Sequence, residues 1–429
     1  MTYNEVIKFM FRQLPMFQRE GKAAYKNNLD NTLLLDNFFN NPHKNFKSIH
    51  IAGTNGKGSV SHILASVLQK SGLRVGLYTS PHLKSFRERI KIDGKKIGEK
   101  EIVDFISEHI ALFEQIKPSF FEITVALAFY YFAKMNVDIA VVEVGMGGRL
   151  DSTNIIKPIL SIITNIGYDH TDFLGNTLQQ IAKEKAGIIK KNVPVLIGET
   201  HESTEQVFVE KAEQNNSEIL FADKIYKCHY STLSLENEQL FHIEKNGEAV
   251  YNKLKSSLLG IYQRKNIITC IAAIEKLTQL NIKISKDNIY EGILKVSETT
   301  GLLGRWQIIG NNPLIVCDTA HNIDGIKEVL SQIATTAYKN LHIVFGVVND
   351  KNVDSILDIL PKTAQYYFTK ANIPRSLDEN ILLEKANKYH LRGKSFSKVK
   401  IAVSEAKKRA ETTDFIFIGG STFVVAEVI

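Results

Sequence analysis

The chain has 429 residues, 44% of them hydrophobic and 23% charged, with a formal net charge of +7 at pH 7. Such a length fits two or three domains with a substantial core, and the mixture is that of an ordinary soluble globular protein. No apolar run approaches the ~20 residues that span a bilayer, and basic residues spread along the whole chain speak against nucleic acid.

The N-terminus mixes Glu5, Lys8 and Arg12 into its apolar pattern, unlike a secretory leader. Cys228, Cys270 and Cys317 lie far apart without metal-ligand spacing, so a reducing cytoplasm is expected. In chain order, residues 1–46 read as helical pieces ending at Asn41-Pro42. A short apolar strand, Ser48 to Ala52, then runs into Gly53-Thr54-Asn55-Gly56-Lys57-Gly58-Ser59 and a helical pattern from Val60 to Lys70. A glycine-rich turn between strand and helix points backbone N–H groups into a concavity that suits phosphate. Lys57 can reach the β- and γ-phosphates and Ser59 a magnesium ion. The loop departs from the G-x-x-x-x-G-K-[ST] form, because Gly58 separates lysine from hydroxyl.

Beyond it, Arg74 to Thr79 reads as a strand, Glu99 to Ile116 as a helix stopped by Lys117-Pro118, and Ile123 to Met135 as another helix. Asp138 to Val144 and Pro158 to Asn165 are continuous apolar runs of the kind buried on both faces of a parallel sheet. Thr177 to Ala186 is a helix, Pro194 to Ile197 a strand, and residues 221–250 a small antiparallel addition. Lys265 to Leu280 is a helix, and Glu298 to Gly304 a linker. Strand and helix alternate again from Leu314 to Cys317, Ile323 to Ile333, Leu341 to Val347, Ser355 to Leu360 and Tyr366 to Thr369. The last strand, Asp414 to Ile418, enters Gly419-Gly420-Ser421. The expected domains are 1–297 and 298–429, the second lacking a G-x-G-x-x-G dinucleotide fingerprint.

Several polar groups stand at strand ends. Glu143 closes the run Ile139 to Val142, where a carboxylate suits magnesium, although a glutamate on a wet face reads the same way. Thr164-Asn165 precedes Asp169-His170, and Thr79-Ser80-Pro81-His82 offers a hydroxyl or a plain serine–proline turn. A lone histidine is more often structural than functional. Lys185, near a helix end, reads by itself as a surface lysine, and Asp318 as a helix cap. Nothing matches G-x-S-x-G, H-E-x-x-H or C-x-x-C.

Taken together these segments resemble the Mur-ligase superfamily and, within it, the folylpolyglutamate synthase/dihydrofolate synthase family. The resemblance rests on Gly53 to Ser59, Thr79 to Leu83, Phe120-Phe121-Glu122, Glu143 to Asp151, Asp169-His170 and Glu184 to Ile188. It continues in Gln263 to Asn266, Gly304 to Gln307, Asp318 to Asn322 and Asn349-Asp350-Lys351, and so covers nearly the whole chain in the family's order. It implies an α/β chain: a phosphate-loop ATPase domain with a mostly parallel sheet and a small antiparallel addition, then a smaller Rossmann-like α/β domain.

The activity it implies is ATP-dependent ligation of L-glutamate to dihydropteroate, to the tail of a reduced folate, or to both, through an acyl phosphate. The protein would be a cytoplasmic monomer with small-molecule partners, without nucleic acid or membrane. By the same resemblance, Gly53, Thr54, Asn55, Gly56, Lys57, Gly58 and Ser59 hold ATP phosphates, and Asn266, Arg305, Asp318 and His321 hold the nucleotide. Ser80, Glu143 and His170 bind magnesium, as two sites, with room for a monovalent cation. Lys185 is the lysine carbamylated in the family, and with Lys57 and His170 it forms the catalytic set. Ser119, Phe120, Phe121, Glu122, Arg149 and Asp151 match the pterin-binding region. One departure is Tyr262, where many relatives have histidine.

Two other readings compete. A UDP-muramoyl peptide ligase carries an added domain ahead of the phosphate loop, for which a loop at Gly53 leaves little room. A non-catalytic nucleotide-binding module would not need Glu143, His170, Lys185 and Asp318 together.

Overall fold

Eight strands assemble the first sheet: β1 (Lys47–Ala52), β2 (Val75–Tyr78), β3 (Ile90–Ile92), β4 (Lys95–Lys96), β5 (Ile139–Glu143), β6 (Leu160–Ile163), β7 (Val195–Ile197) and β8 (Ile219–Phe221). Their order is β4-β3-β2-β5-β1-β6-β7-β8, parallel except where β3 pairs with β2 and β4. The computed structural model describes residues 1–12, 28–233, 238–349 and 353–429. Expectations for residues 13–27 and for Asp350-Lys351 lie outside the described residues.

All residues of β5 and β6 are buried, which explains why they read as unbroken apolar runs. β1 lies between β5 and β6. The chain leaves β1 through helix α1 (Lys57–Lys70) toward β2 on one side, while the connection from β5 passes to β6 on the other. In open α/β sheets such a switch point opens a crevice at the carboxyl ends of the strands. One face of the sheet buries Phe105, Phe129 and Phe132 beside Val6 and Met10; Ile163, Ile181 and Phe208 gather in a second cluster. Phe132 is fully buried and presses on Gly76, where a Cβ would sit 3.0 Å from the ring.

Helix α2 (Phe120–Lys134) begins three residues before the expected Ile123, because Ser119 and Glu122 form a capping box at its start. The single helix expected over Glu99 to Ile116 is two, Glu99–Glu108 and Ile110–Ile116. His109 breaks the run with a non-helical φ of -117°, and its Nδ1 lies 2.7 Å from Phe105 O. Helix α3 (Leu178–Ala186) follows its Thr177 cap. The antiparallel addition is a three-stranded sheet, β9 (Tyr226–Leu233), β10 (Gln239–Lys245) and β11 (Glu248–Ser256), in the order β11-β10-β9. Helix α4 (Gln263–Gln279) then returns to pack on α1.

The chain divides into two units, Met1–Ser257 with Gln263–Gly301, and Leu258–Tyr262 with Leu302–Ile429. The expected boundary at 297/298 falls inside the short helix Val296–Thr300. Unit 2 is a six-stranded sheet made of β12 (Gln307–Asn311), β13 (Leu314–Cys317), β14 (Leu341–Phe345), β15 (Gln365–Thr369), β16 (Gly393–Phe396) and β17 (Phe415–Gly419). Its order is β12-β13-β17-β14-β15-β16, with only β12 antiparallel. Helix α5 (Ile323–Thr335) starts at an Asn322 cap. Among the described residues no helix is long and apolar enough to cross a membrane.

Candidate functional site

The phosphate loop leaves β1 with Gly53 at φ 146° and Gly56 at φ 85°. Both angles, and the space around them, exclude a side chain: a Cβ on Gly53 would fall 1.8 Å from Thr164 Oγ1, and one on Gly56 would fall 2.3 Å from Asn266 Oδ1. Neighbouring β6 pins the loop from its own carboxyl end. Asn165 accepts the Thr54 N–H through its carbonyl (3.0 Å) and the Asn55 N–H through its side chain (2.8 Å). Thr164 Oγ1 donates to Asn55 O at 2.6 Å, and the Thr54 hydroxyl bridges to Gly167. Thr164 and Asn165 are thus site residues that the sequence reading left unassigned. The signal was present, since both are polar residues at the end of an apolar strand.

Helix α1 starts at Lys57, three residues ahead of the expected Val60, which puts Lys57, Gly58 and Ser59 in its first turn. Lys57 Nζ donates to Gly53 O at 2.9 Å and Thr54 O at 3.1 Å. The Ser59 hydroxyl is buried and accepts from Gln263 Nε2 (3.2 Å), while Gln263 Oε1 accepts from Asn266 Nδ2 (2.8 Å). Asn266 therefore does stand against the phosphate loop, held by Gln263.

Lys185 is not a surface residue. It is 4% exposed, and its Nζ donates to Gly53 O at 2.9 Å, the carbonyl that also receives Lys57. Burial pushes its pKa down to about 7, the nearby Lys57 charge adds to that, and Asp169 and Asp151 oppose it. An amine so placed is poised to lose its proton near neutrality. Asp169 also accepts the His170 backbone N–H (2.9 Å), and the His170 ring lies 3.9 Å from the same carboxylate. Glu143, 4% exposed at the end of β5, accepts the Ser80 N–H at 3.1 Å, so two of the expected metal ligands are adjacent through backbone. Among the described residues no three His, Cys, Asp or Glu side chains form a metal cage.

The residues matched to pterin binding are placed unevenly. Ser119 Oγ and the Glu122 carboxylate face each other's backbone N–H groups in the capping box. Phe120 is buried in the core. Phe121 lies against the loop after β5, where a Cβ on Gly145 would meet its ring at 2.5 Å. Arg149 turns to Glu184, donating through Nε (3.1 Å) and a terminal nitrogen (2.9 Å). Asp151 is buried and organises its own loop. It accepts the N–H groups of Gly145, Met146 and Thr153 and the Thr153 hydroxyl. Since that hydroxyl donates to Asp151, it accepts from His50 Nε2 (2.8 Å). Burial drives His50 down to about 3, with Lys190 adding to the effect, so His50 is neutral.

In unit 2, Asp318 is 2% exposed and accepts the Trp306 and Ala320 N–H groups (2.6 and 2.8 Å). Burial raises its pKa, against the hydrogen bonds it accepts and the Arg305 charge. Arg305 lies at the turn before β12, and His321 Nδ1 is 3.0 Å from Thr319 O.

Comparison with known proteins gives the same identity from both units. Residues 51–274 match the model of the Mur ligase middle domain, and residues 304–422 that of the Mur ligase glutamate ligase domain. A Bacillus subtilis protein named dihydrofolate synthase/folylpolyglutamate synthase is 32% identical over 404 residues, covering 90% of both chains. A Haloferax volcanii protein, named as a bifunctional folylpolyglutamate synthase/dihydropteroate synthase, is 32% identical over the whole chain, which spans half its length. The crystal structure of the bifunctional folylpolyglutamate synthase/dihydrofolate synthase of Yersinia pestis, complexed with AMPPNP and Mn ion, superposes with a TM-score of 0.85 at 26% identity. That alignment covers 100% of this chain and 97% of that one.

Proposed function

The chain belongs to the folylpolyglutamate synthase/dihydrofolate synthase family of Mur ligases, and on that premise we propose how its residues carry out ATP-dependent joining of an acid to L-glutamate. The acid is dihydropteroate, a reduced folate bearing a glutamyl tail, or each in turn. A carboxylate at neutral pH repels an incoming amine. Transfer of the γ-phosphoryl group of ATP to its oxygen cancels that charge and supplies a leaving group. The α-amine of glutamate then attacks the carbonyl carbon, the amide forms, and phosphate departs.

Phosphoryl transfer asks the protein mainly for positioning and charge neutralisation. Gly53 to Ser59 cradle the phosphates on a backbone that Asn165 fixes at Thr54 and Asn55, and Lys57 supplies the cation. Asn266, held by Gln263, borders the loop; Arg305, Asp318 and His321 are assigned to nucleotide binding. Magnesium suits Ser80, Glu143 and His170, because it takes few protein carboxylates and fills its shell with phosphate oxygens and water. When bound it neutralises the charge on the transferring group. Two such ions, and a monovalent cation beside them, belong to the same reading. Phe121 and the loop from Gly145 to Asp151 flank the pterin acid. The protein is cytoplasmic and acts as a monomer.

The observation that carries this reading is the meeting of Lys57 and buried Lys185 on one carbonyl of the phosphate loop. A module that only held nucleotide would have no use for a desolvated second lysine there. The test is incubation of purified protein with ATP, magnesium, L-glutamate and either dihydropteroate or a reduced folate, with the products weighed. ADP release that depends on acid and glutamate, with a glutamylated product, is expected. Absence of both with either acid refutes the proposal.

A further inference from the structure

The surroundings of Tyr262 in unit 2 are built around its ring. The segment Leu258–Tyr262 is fixed by the buried amide of Gln332, which donates to Leu259 O (2.9 Å) and accepts the Ile261 N–H (2.8 Å). Gly260 gives the Tyr262 ring its place, since a Cβ there would lie 2.6 Å from the ring. The phenol then donates to Asp318 Oδ2 at 2.6 Å.

A carboxylate has about four lone-pair positions. Tyr262 and the Trp306 N–H take both on Oδ2, and the Ala320 N–H takes one on Oδ1. Among the described residues no donor takes the remaining acceptor position, on Oδ1. We propose that Tyr262 is a positioning residue for nucleotide binding: its phenol fixes the Asp318 carboxylate so that a single Oδ1 lone pair is offered to a hydroxyl or amino group of the nucleotide. The inference rests on the assignment of Asp318 to the nucleotide.

Three titratable or charged groups act on Asp318: Tyr262, Arg305 and Cys317. Burial raises the Asp318 pKa, and the Tyr262 hydrogen bond works against that rise. Removing the phenolic O–H therefore leaves the carboxylate held by the Trp306 and Ala320 N–H groups alone and extends its protonated range upward in pH.

For Tyr262→Phe, KM for ATP is expected to rise about tenfold, the scale of one charge-assisted hydrogen bond. KM for glutamate should hold, and the acid limb of nucleotide affinity should move to higher pH. An ATP KM and acid limb equal to wild type overturn the inference. Tyr262→His keeps an N–H donor and is expected to bind ADP more tightly than Tyr262→Phe; a loss as deep as that of Phe overturns it too. Asp318→Asn separates the two levels. Unchanged ADP binding in that variant defeats the nucleotide assignment and this inference together. Weakened binding there beside an intact Tyr262→Phe defeats this inference alone.

Discussion

Two buried ionisable side chains, one in each unit, are treated differently. Lys185 in unit 1 is 4% exposed and Asp318 in unit 2 is 2% exposed, and burial pushes both toward their neutral forms. Asp318 is compensated by three donors, the Tyr262 hydroxyl and the Trp306 and Ala320 N–H groups. Lys185 has one carbonyl, shared with another lysine. A buried charge with several partners is held in place, whereas one with few partners is held ready to change its protonation. On the proposed reading Lys185 is the reactive group and Asp318 the binding one.

The largest expected effect lies at Lys57, which shares the Gly53 carbonyl with Lys185. Lys57→Ala removes the charge that the proposed function assigns to the transferring group, and kcat/KM for ligation should fall by about a thousandfold. Steady-state ADP release measures it, and near-normal turnover would remove Lys57 from its assigned role. Next comes Lys185→Ala. If the amine carries a carbamate, activity should drop by about a hundredfold and recover in part with added short carboxylates, which restore an anionic oxygen. An intact mass showing a plain amine in fully active protein counts against the carbamate.

A third effect is smaller and has a defined sign. The folded Lys185 amine has a pKa of about 7 and its ordinary value is 10.5. Between those two values the unfolded chain holds a proton that the folded chain has lost, so stability gains with rising pH across the window. Below about 7 the full cost of the buried charge is present. Replacing Lys185 by Met should flatten this part of the curve in chemical denaturation measured from pH 6.5 to 9.5. A slope identical to wild type would show that the lysine is solvated.

The contrast also explains what could be read from residues alone. The phosphate loop was legible because strand, glycines, Lys57 and helix are contiguous, and local backbone chemistry fixes their arrangement. The burial of Lys185 was not, since its partner Gly53 lies 132 positions away and only the pairing of β1 with β6 brings α3 to it; by itself the sequence shows a lysine at a helix end. Family resemblance supplied that residue where periodicity could not. Leu258–Tyr262 carries no composition shift, so its membership in unit 2 depends on Gln332, some seventy residues on. The hairpin of β3 and β4 escaped notice although Asp93-Gly94 is a strong turn signal, because β4 is only two exposed lysines long. Ser119 and Glu122 matched a binding motif, and the same spacing is also a capping box, a local demand that the sequence cannot separate from a distant one.

The smallest effects separate the helices that carry the two sites. Thr177 caps α3, which holds Lys185, and Asn322 caps α5, which follows Asp318. An N-cap replaced by alanine costs about 0.5–2 kcal/mol. Thr177 accepts the Gln180 N–H at 3.2 Å, but Gln180 Oε1 independently accepts the N–H groups of Asn176 (2.8 Å) and Thr177 (3.3 Å). Half of that box survives Thr177→Ala, and the site is exposed enough for water to replace the rest. Asn322 is 4% exposed and its Oδ1 accepts the Gly325 N–H at 2.9 Å, with no reciprocal side chain in its capping motif. Losing it strands a half-buried donor that no second side chain of the motif can serve. Asn322→Ala should therefore destabilise the protein more than Thr177→Ala in thermal or urea unfolding. The reverse order would mean that α3, and the lysine it carries, depends on its cap more than on the packing of Ile181 and Ala182.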